Sequence, residues 1–139
     1  MALRESTTKT MIHPETGAVL RRRRRKTKVA YMGLTREIVW TGWFPADGSD
    51  GILEGKDAEP ADRALAEMKA EHKARTQKLA ARVRSAAKLT QREASTLLTG
   101  SPNSFYKYET GRAEPSWPTY VLLKLLAADP KLIEKIRAI

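Results

Sequence analysis

"LTQREASTLLTGSPNSFYKYETG", Leu89 to Gly111, decides how the second half of this chain is read. Thr90 is a natural N-cap and Glu93, three positions on, completes a capping box, so a helix is expected to start here. Ala94, Leu97 and Leu98 give that helix one apolar face, and Gly100 stops it. Ser101 is expected to cap the next helix, with Pro102 at its first position, where a missing N–H costs little. That helix should run to about Glu109 and end by Gly111. Two short helices joined by a glycine-containing turn describe a helix-turn-helix. At about 100° per residue, Asn103 and Lys107 share a face with Tyr106 beside them, while Phe105 and Tyr108 fall opposite and should be core. Asparagine can pair bidentately with adenine, and lysine can donate to guanine acceptors or to a phosphate. A plain helical bundle with an exposed Asn and Lys is the alternative.

Upstream lies "ADRALAEMKAEHKARTQKLAARVRSAAK", Ala61 to Lys88, which holds no proline or glycine and should be helical to near Ala87. Leu65, Met68, Leu79 and Val83 are its larger apolar residues. The almost wholly polar section from Lys69 to Lys78 suggests a solvated helical linker or two helices with a break between them. Downstream, one helix is expected from Ser116–Pro118, and "DPKLIEKIRAI" forms another, with Asp129 as cap and Pro130 at its first position. Leu122, Leu123, Leu125, Leu126, Leu132, Ile133 and Ile136 exceed what one small bundle needs, so some are expected to line a dimer interface.

The N-terminal half has another texture. "HPETGAVL" carries turn residues ahead of "VLRRRRRKTKVAY", Val19 to Tyr31. "LTREIVWTGWF" follows, rich in β-branched and aromatic residues, so a hairpin turning near Met32-Gly33 is expected. In a strand, Arg21, Arg22, Arg23, Arg24 and Arg25 alternate between two faces. They read either as a charged, edge-protecting strand or as a phosphate-binding ribbon. The loop "WFPADGSDGILEGKDAEP" is acidic, but its spacing fails the EF-hand pattern, and no catalytic carboxylate pair is supported.

Charge and composition bound the reading. The 139 residues allow one domain or two small ones, and a net charge of +10 with pI near 10.1 favours a polyanionic partner. Residues 1–45 carry +7, residues 46–62 carry −5 and residues 63–139 carry +8, a pattern of basic module, acidic connector and second basic module. Without cysteine, disulfides, thiolate metal sites and cysteine nucleophiles are excluded, and His13 and His72 are not at ligand spacing. No metal, cofactor or catalytic residue is therefore expected. No run of about 18 apolar residues exists, and "MALRESTTKT" lacks the apolar core of a signal peptide, so a cytoplasmic protein is expected.

The last 60 or so residues resemble the C-terminal domain of MqsA-type antitoxins, Xre-like helix-turn-helix proteins of bacterial type II toxin–antitoxin systems. "LTQ-x-EA", "N-x-F-x-[RK]-YE-x-G" and the closing "LL…P-x-L" carry the resemblance. It implies that Asn103 and Lys107 read bases, with Lys107 where an arginine is usual. Thr90 and Gln91 become phosphate-contacting positions, with Ser101 and Tyr106 joining them as expected backbone contacts. Because such helices read pseudo-palindromes through two half-sites about one helical turn apart, a homodimer on a pseudo-palindromic DNA operator is expected. The resemblance reaches the N-terminal half through "WFPADGSDGIL", Trp43 to Leu53, where Pro45 and Gly48 stand in place of the family's zinc-binding cysteines. The hairpin is then expected to be held by Trp40, Trp43, Phe44, Ile52 and Leu53. The same module is implied to bind a cognate toxin, through Trp40, Trp43, Phe44, Asp47, Asp50 and Glu54. Toxins of this kind act on RNA, so a basic toxin surface facing the acidic connector is expected.

The resulting expectation is an α+β chain with three segments. Residues 1–60 form a small β-hairpin or sheet module that binds toxin. Residues 61–75 form a helical linker. Residues 76–139 form an all-α, lambda-repressor-like helix-turn-helix domain that binds DNA and dimerises. The expected function is an antitoxin that neutralises its toxin and represses its own operon. A stand-alone regulator with a non-toxin partner is the alternative, followed by a basic RNA-binding protein, and an enzyme comes last.

Overall fold

The computed structural model of the chain describes residues 9–139. Most of the stretch read as lacking a signal peptide, residues 1–8, lies outside the described residues. The fold is α+β: among the described residues, a three-stranded antiparallel sheet precedes five helices. The chain divides into two units between Met68 and Lys69.

In the first unit, β2 (Val19–Tyr31) and β3 (Leu34–Phe44) form the expected hairpin, paired from Arg21↔Phe44 to Tyr31↔Leu34. Met32 and Gly33 make its two-residue turn with φ of 49° and 83°, the left-handed geometry that matches strand twist. A short strand not foreseen from the sequence, β1 (Thr10–Ile12), pairs with the start of β2 from Thr10↔Arg21 to Ile12↔Val19. Leu20, flanked by Val19 and the arginines, is fully buried, and Phe44 nearly so. Trp40, Trp43, Ile52 and Leu53 are only half-buried. The loop after β3 folds back by a backbone exchange, Trp43 N–H to Ile52 at 2.9 Å and Ile52 N–H to Trp43 at 2.8 Å. Gly51 permits this approach: a Cβ there would overlap the Trp43 carbonyl oxygen and lie 2.5 Å from the Phe44 ring.

One continuous helix, α1 (Glu59–Ala86), covers the expected linker and the segment beyond it, so of the two alternatives for the polar section the helical one holds and the break is absent. Ala64, Met68, His72, Thr76, Ala80 and Val83 are buried at spacings of three or four. The section from Lys69 to Lys78 is polar by residue type, yet it keeps a buried stripe in His72 and Thr76. Lys88 ends the helix in the left-handed region (φ 56°), with Leu89 N–H donating to Arg84 O and Lys88 N–H to Ser85 O, a Schellman arrangement.

In the second unit, α2 (Gln91–Thr99), α3 (Ser104–Thr110), α4 (Trp117–Ala128) and α5 (Leu132–Arg137) follow. Their core is built from Leu79, Val83, Ala94, Phe105, Tyr108, Leu123, Leu126 and Ile133. Two helix starts differ from expectation. Ser101 and Pro102 lie in the turn before α3, because the Thr99 hydroxyl takes the Ser101 N–H at 3.2 Å and ties it to the end of α2. Asp129 and Pro130 likewise precede α5, with the Asp129 carboxylate accepting from Lys131 N–H.

Candidate nucleic-acid interface

The α2–turn–α3 segment is fixed by short-range chemistry. Thr90 caps α2 with both bonds of the capping box at 3.1 Å, and Gly100 leaves the helix at φ 72°. The box and Arg137 hold the Glu93 carboxyl below its usual range, the hydrogen bond from the Thr90 N–H first. The buried Ser95 hydroxyl donates to Gln91 O at 2.6 Å and accepts from Phe105 N–H at 2.8 Å, which joins the two helices. The Thr99 hydroxyl donates to Ser95 O at 2.6 Å and lies 2.8 Å from Ser104 Oγ. The far end of α3 is tied to α1, where Arg84 grips Glu109 through Nε (3.0 Å) and Nη2 (2.8 Å) and donates to Leu89 O. Phe105 and Tyr108 point into the core, as the helical wheel requires.

What remains outside is the face expected to read DNA. Asn103 sits at the N-cap of α3, but its side chain caps nothing, and it is exposed. Lys107, one turn on, is exposed on the same side, and its N–H donates to Asn103 O at 3.2 Å. Tyr106 is exposed beside them, with the Arg112 guanidinium 5.3 Å from its ring centroid. Thr90 and Ser101 are exposed, and Gln91 is half-buried, with its carbonyl held by Ser95. Ser95, Thr99, Arg84, Glu109 and Arg112 were not singled out from the sequence. For Ser95 a signal exists, since it lies beside Ala94 on the inward side of α2.

The arginine run divides in the first unit. Arg22 makes a bidentate pair with Asp57 at 2.7 and 2.6 Å and lies 5.3 Å from the Trp43 ring centroid. That pairing holds the Asp57 carboxyl below its usual range despite burial. Arg23 donates to Phe44 O at 3.1 Å. Arg25 lies over the Phe44 ring at 4.2 Å and donates to Pro45 O and Ser49 O at 2.9 and 2.8 Å. Arg21 and Arg24 are exposed. The loop that carries a metal in the resembled family is therefore closed here by a guanidinium. Pro45 and Gly48 supply no ligating side-chain atom, so these residues do not fit a zinc ion. Among the described residues, no group of three or more His, Asp or Glu side chains could hold a metal.

The residues expected to meet a partner are spread over this unit. Trp40 leans on Phe44, with ring centroids 6.4 Å apart. Trp43 Nε1–H donates to Glu54 at 2.8 Å. Asp47 accepts from the Ser49 hydroxyl at 2.6 Å and from its N–H at 2.9 Å, bonds that lower its carboxyl below the usual range. Asp50 is exposed. No described helix is long and apolar enough to cross a membrane.

A family model described as the antitoxin component of a bacterial toxin–antitoxin system, MqsA, matches residues 13–137. The protein "Antitoxin MqsA" of Escherichia coli (strain K12) is 43% identical over 56 residues, which is 40% of this chain and 43% of that protein. The chain thus aligns with less than half the length of that curated relative.

Proposed function

The chain belongs to the MqsA family of antitoxin components, and from that premise we propose that it neutralises a cognate toxin and represses its own operon. In this reading the second unit reads a DNA operator and the first holds the toxin. The observation that carries it is the pairing of Asn103 and Lys107 on the outer face of α3, a helix held at one end by Ser95 and at the other by Arg84. Such a helix enters the major groove, with Asn103 on adenine and Lys107 on guanine or phosphate. Thr90, Gln91, Ser101 and Tyr106 then contact the sugar–phosphate backbone and set register without reading sequence. The reading assigns no catalytic step and no cofactor, and the protein works in the cytoplasm beside its operon.

Operator reading by such helices calls for a homodimer on two half-sites about 34–36 Å apart. Trp117, Val121 and Leu125, four residues apart on α4, are exposed and suit a second copy. Leu123, Leu126 and Ile133 are buried in the unit's own core and are not available for that role.

Binding of the chain to DNA upstream of its own gene tests the reading. Asn103→Ala should weaken operator binding by about 1–3 kcal/mol and relax preference at one base. Unchanged preference would remove Asn103 as the reader. Co-purification with a neighbouring small toxin separates this reading from a stand-alone regulator.

A further inference from the structure

The flank of α1 turned away from α3 carries a basic cavity that operator reading does not use. At about 100° per residue, Arg75 and Arg82 lie within about 60° of the buried Leu79, whereas Gln77 and Arg84 lie about 140–160° from it. Gln77 and Arg84 donate to Glu109 of α3. Arg75, Leu79 and Arg82 face the other way, and with Tyr120 and Lys124 of α4 they line a cavity of about 310 Å³. Arg75, Arg82 and Lys124 are exposed, Tyr120 is half-buried, and Leu79 is the buried, apolar part of the lining.

The positive charge here is largely unanswered. Arg75 pairs with Glu71 one turn earlier at 2.7 Å, with the two side chains 60% and 30% exposed, so water screens the pair. Among the described residues, the Arg82 and Lys124 side chains have no ion-pair or hydrogen-bond partner, and the lining holds no carboxylate. Three cations and a phenol O–H around one space call for an anion rich in acceptor oxygens. Arginine forks and a lysine suit phosphate. Arg75 and Arg82 are seven residues apart, about 10 Å along the helix, a span that linked phosphates cover and a single phosphate does not. The volume falls at the lower end for small-ligand sites. Single-stranded nucleic acid stacks its bases on free aromatic faces. Tyr120, the aromatic in this lining, has its ring met edge-on by His72 at 4.8 Å and flanked by Trp117 at 5.8 Å.

We propose that the α1–α4 cavity bounded by Arg75, Arg82 and Lys124 binds a small molecule carrying two or more linked phosphate groups. Arg82 and Lys124 supply the unpartnered charge, and Arg75 joins them by loosening its hold on Glu71. The site lies apart from the outer face of α3 and does not rest on what α3 reads.

The test titrates inorganic triphosphate into the full chain by calorimetry at about 0.15 M salt, where a Debye length of about 8 Å suppresses diffuse attraction. Triphosphate should bind more tightly than orthophosphate. Arg82→Gln and Lys124→Gln should each weaken it roughly tenfold, as the loss of one charge-assisted contact, and Lys124→Arg should keep it. Circular dichroism reports the fold; if Lys124→Gln misfolds, Arg82→Gln alone decides. Arg24→Gln in the first unit and Lys107→Gln on α3 should leave triphosphate affinity unchanged. Equal weakening by these controls would mean diffuse attraction to a basic chain and overturns the proposal. Displacement of triphosphate by duplex DNA, or tighter binding of hexaglutamate, also overturns it. So does altered sedimentation of Lys124→Gln with triphosphate affinity unchanged, which assigns the cavity to a contact between copies. Asn103→Ala should alter operator preference and leave triphosphate binding in place, so the two readings fail separately.

Discussion

The Ser95 hydroxyl accepts the Phe105 N–H at 2.8 Å, and both residues are fully buried. One side chain thus sets the distance between α2 and α3. Ser95→Ala would leave the Phe105 N–H buried without a partner, at about 1–3 kcal/mol. Urea unfolding of the full chain should show that loss in the second unit, with weaker operator binding and no change in base preference. A loss under about 0.5 kcal/mol would mean that water replaces the hydroxyl.

What was legible in the sequence follows from the range of each interaction. The capping box needs only residues three apart, and the division of α3 into an outer Asn103–Lys107 side and an inner Phe105–Tyr108 side needs only helical period. The β2–β3 hairpin announces itself through its local turn. By contrast, the use of Arg22 depends on Asp57, 35 residues away, and that of Arg25 on carbonyls of a folded-back loop. Strand period gives two faces but cannot say which one the loop covers. The buried stripe of α1 was hidden because His72 and Thr76 are polar by type. The Thr76 hydroxyl donates to His72 O at 2.7 Å, which lets it sit inside. Ser101 has the residue type of a cap, but the Thr99 hydroxyl, bonded to Ser95 O, competes for its N–H and keeps it in the turn.

His72 should make the second unit sensitive to mild acid. Its ring meets Tyr120 edge-on at 4.8 Å, with Thr76 Oγ1 3.4 Å from Nε2. Burial pushes its pKa below the ordinary 6.5; Glu114 opposes this and Arg75 adds to it. The native state therefore takes the proton less readily than the unfolded chain, so stability is full above about 6.5 and falls as pH drops below it. Urea midpoints at about pH 7.5 and 5.5 should differ in that direction, and His72→Leu should remove the difference. Equal or greater stability of the parent at the lower pH would refute the assignment.

The first unit should be held by ions rather than by a metal. The Arg22–Asp57 pair is largely sheltered, and Asp57 also accepts the Glu54 N–H at 3.0 Å. Asp57→Asn is expected to destabilise the unit by about 1–3 kcal/mol. Since Arg22 lowers the Asp57 pKa, the pair's contribution is present above the ordinary 3.8 and is lost as pH falls through the lowered value. Gly51→Ala should be as damaging, because the new Cβ would collide with the Trp43 carbonyl. EDTA should leave the unfolding midpoint unchanged. Stoichiometric zinc by elemental analysis, or unfolding by EDTA, would defeat this account.

Charge on the acidic connector can now be tested one residue at a time. Asp47 closes its own loop on Ser49, Glu54 holds Trp43 and Asp57 holds Arg22. Reversing any of these would disturb the fold and confuse steering with stability. Asp50 is exposed and holds none of these contacts, so Asp50→Lys changes the field at little structural cost. If the cognate toxin carries a basic working surface, an acid facing it speeds encounter at low salt. Asp50→Lys should therefore slow association with the cognate toxin several-fold at low ionic strength, and the effect should fade as salt shortens the screening length toward about 3 Å at 1 M. The unfolding midpoint should stay within about 0.5 kcal/mol of the parent. If the association rate were unchanged at every salt concentration while the fold stayed intact, the connector's carboxylates would serve only the loop that they close.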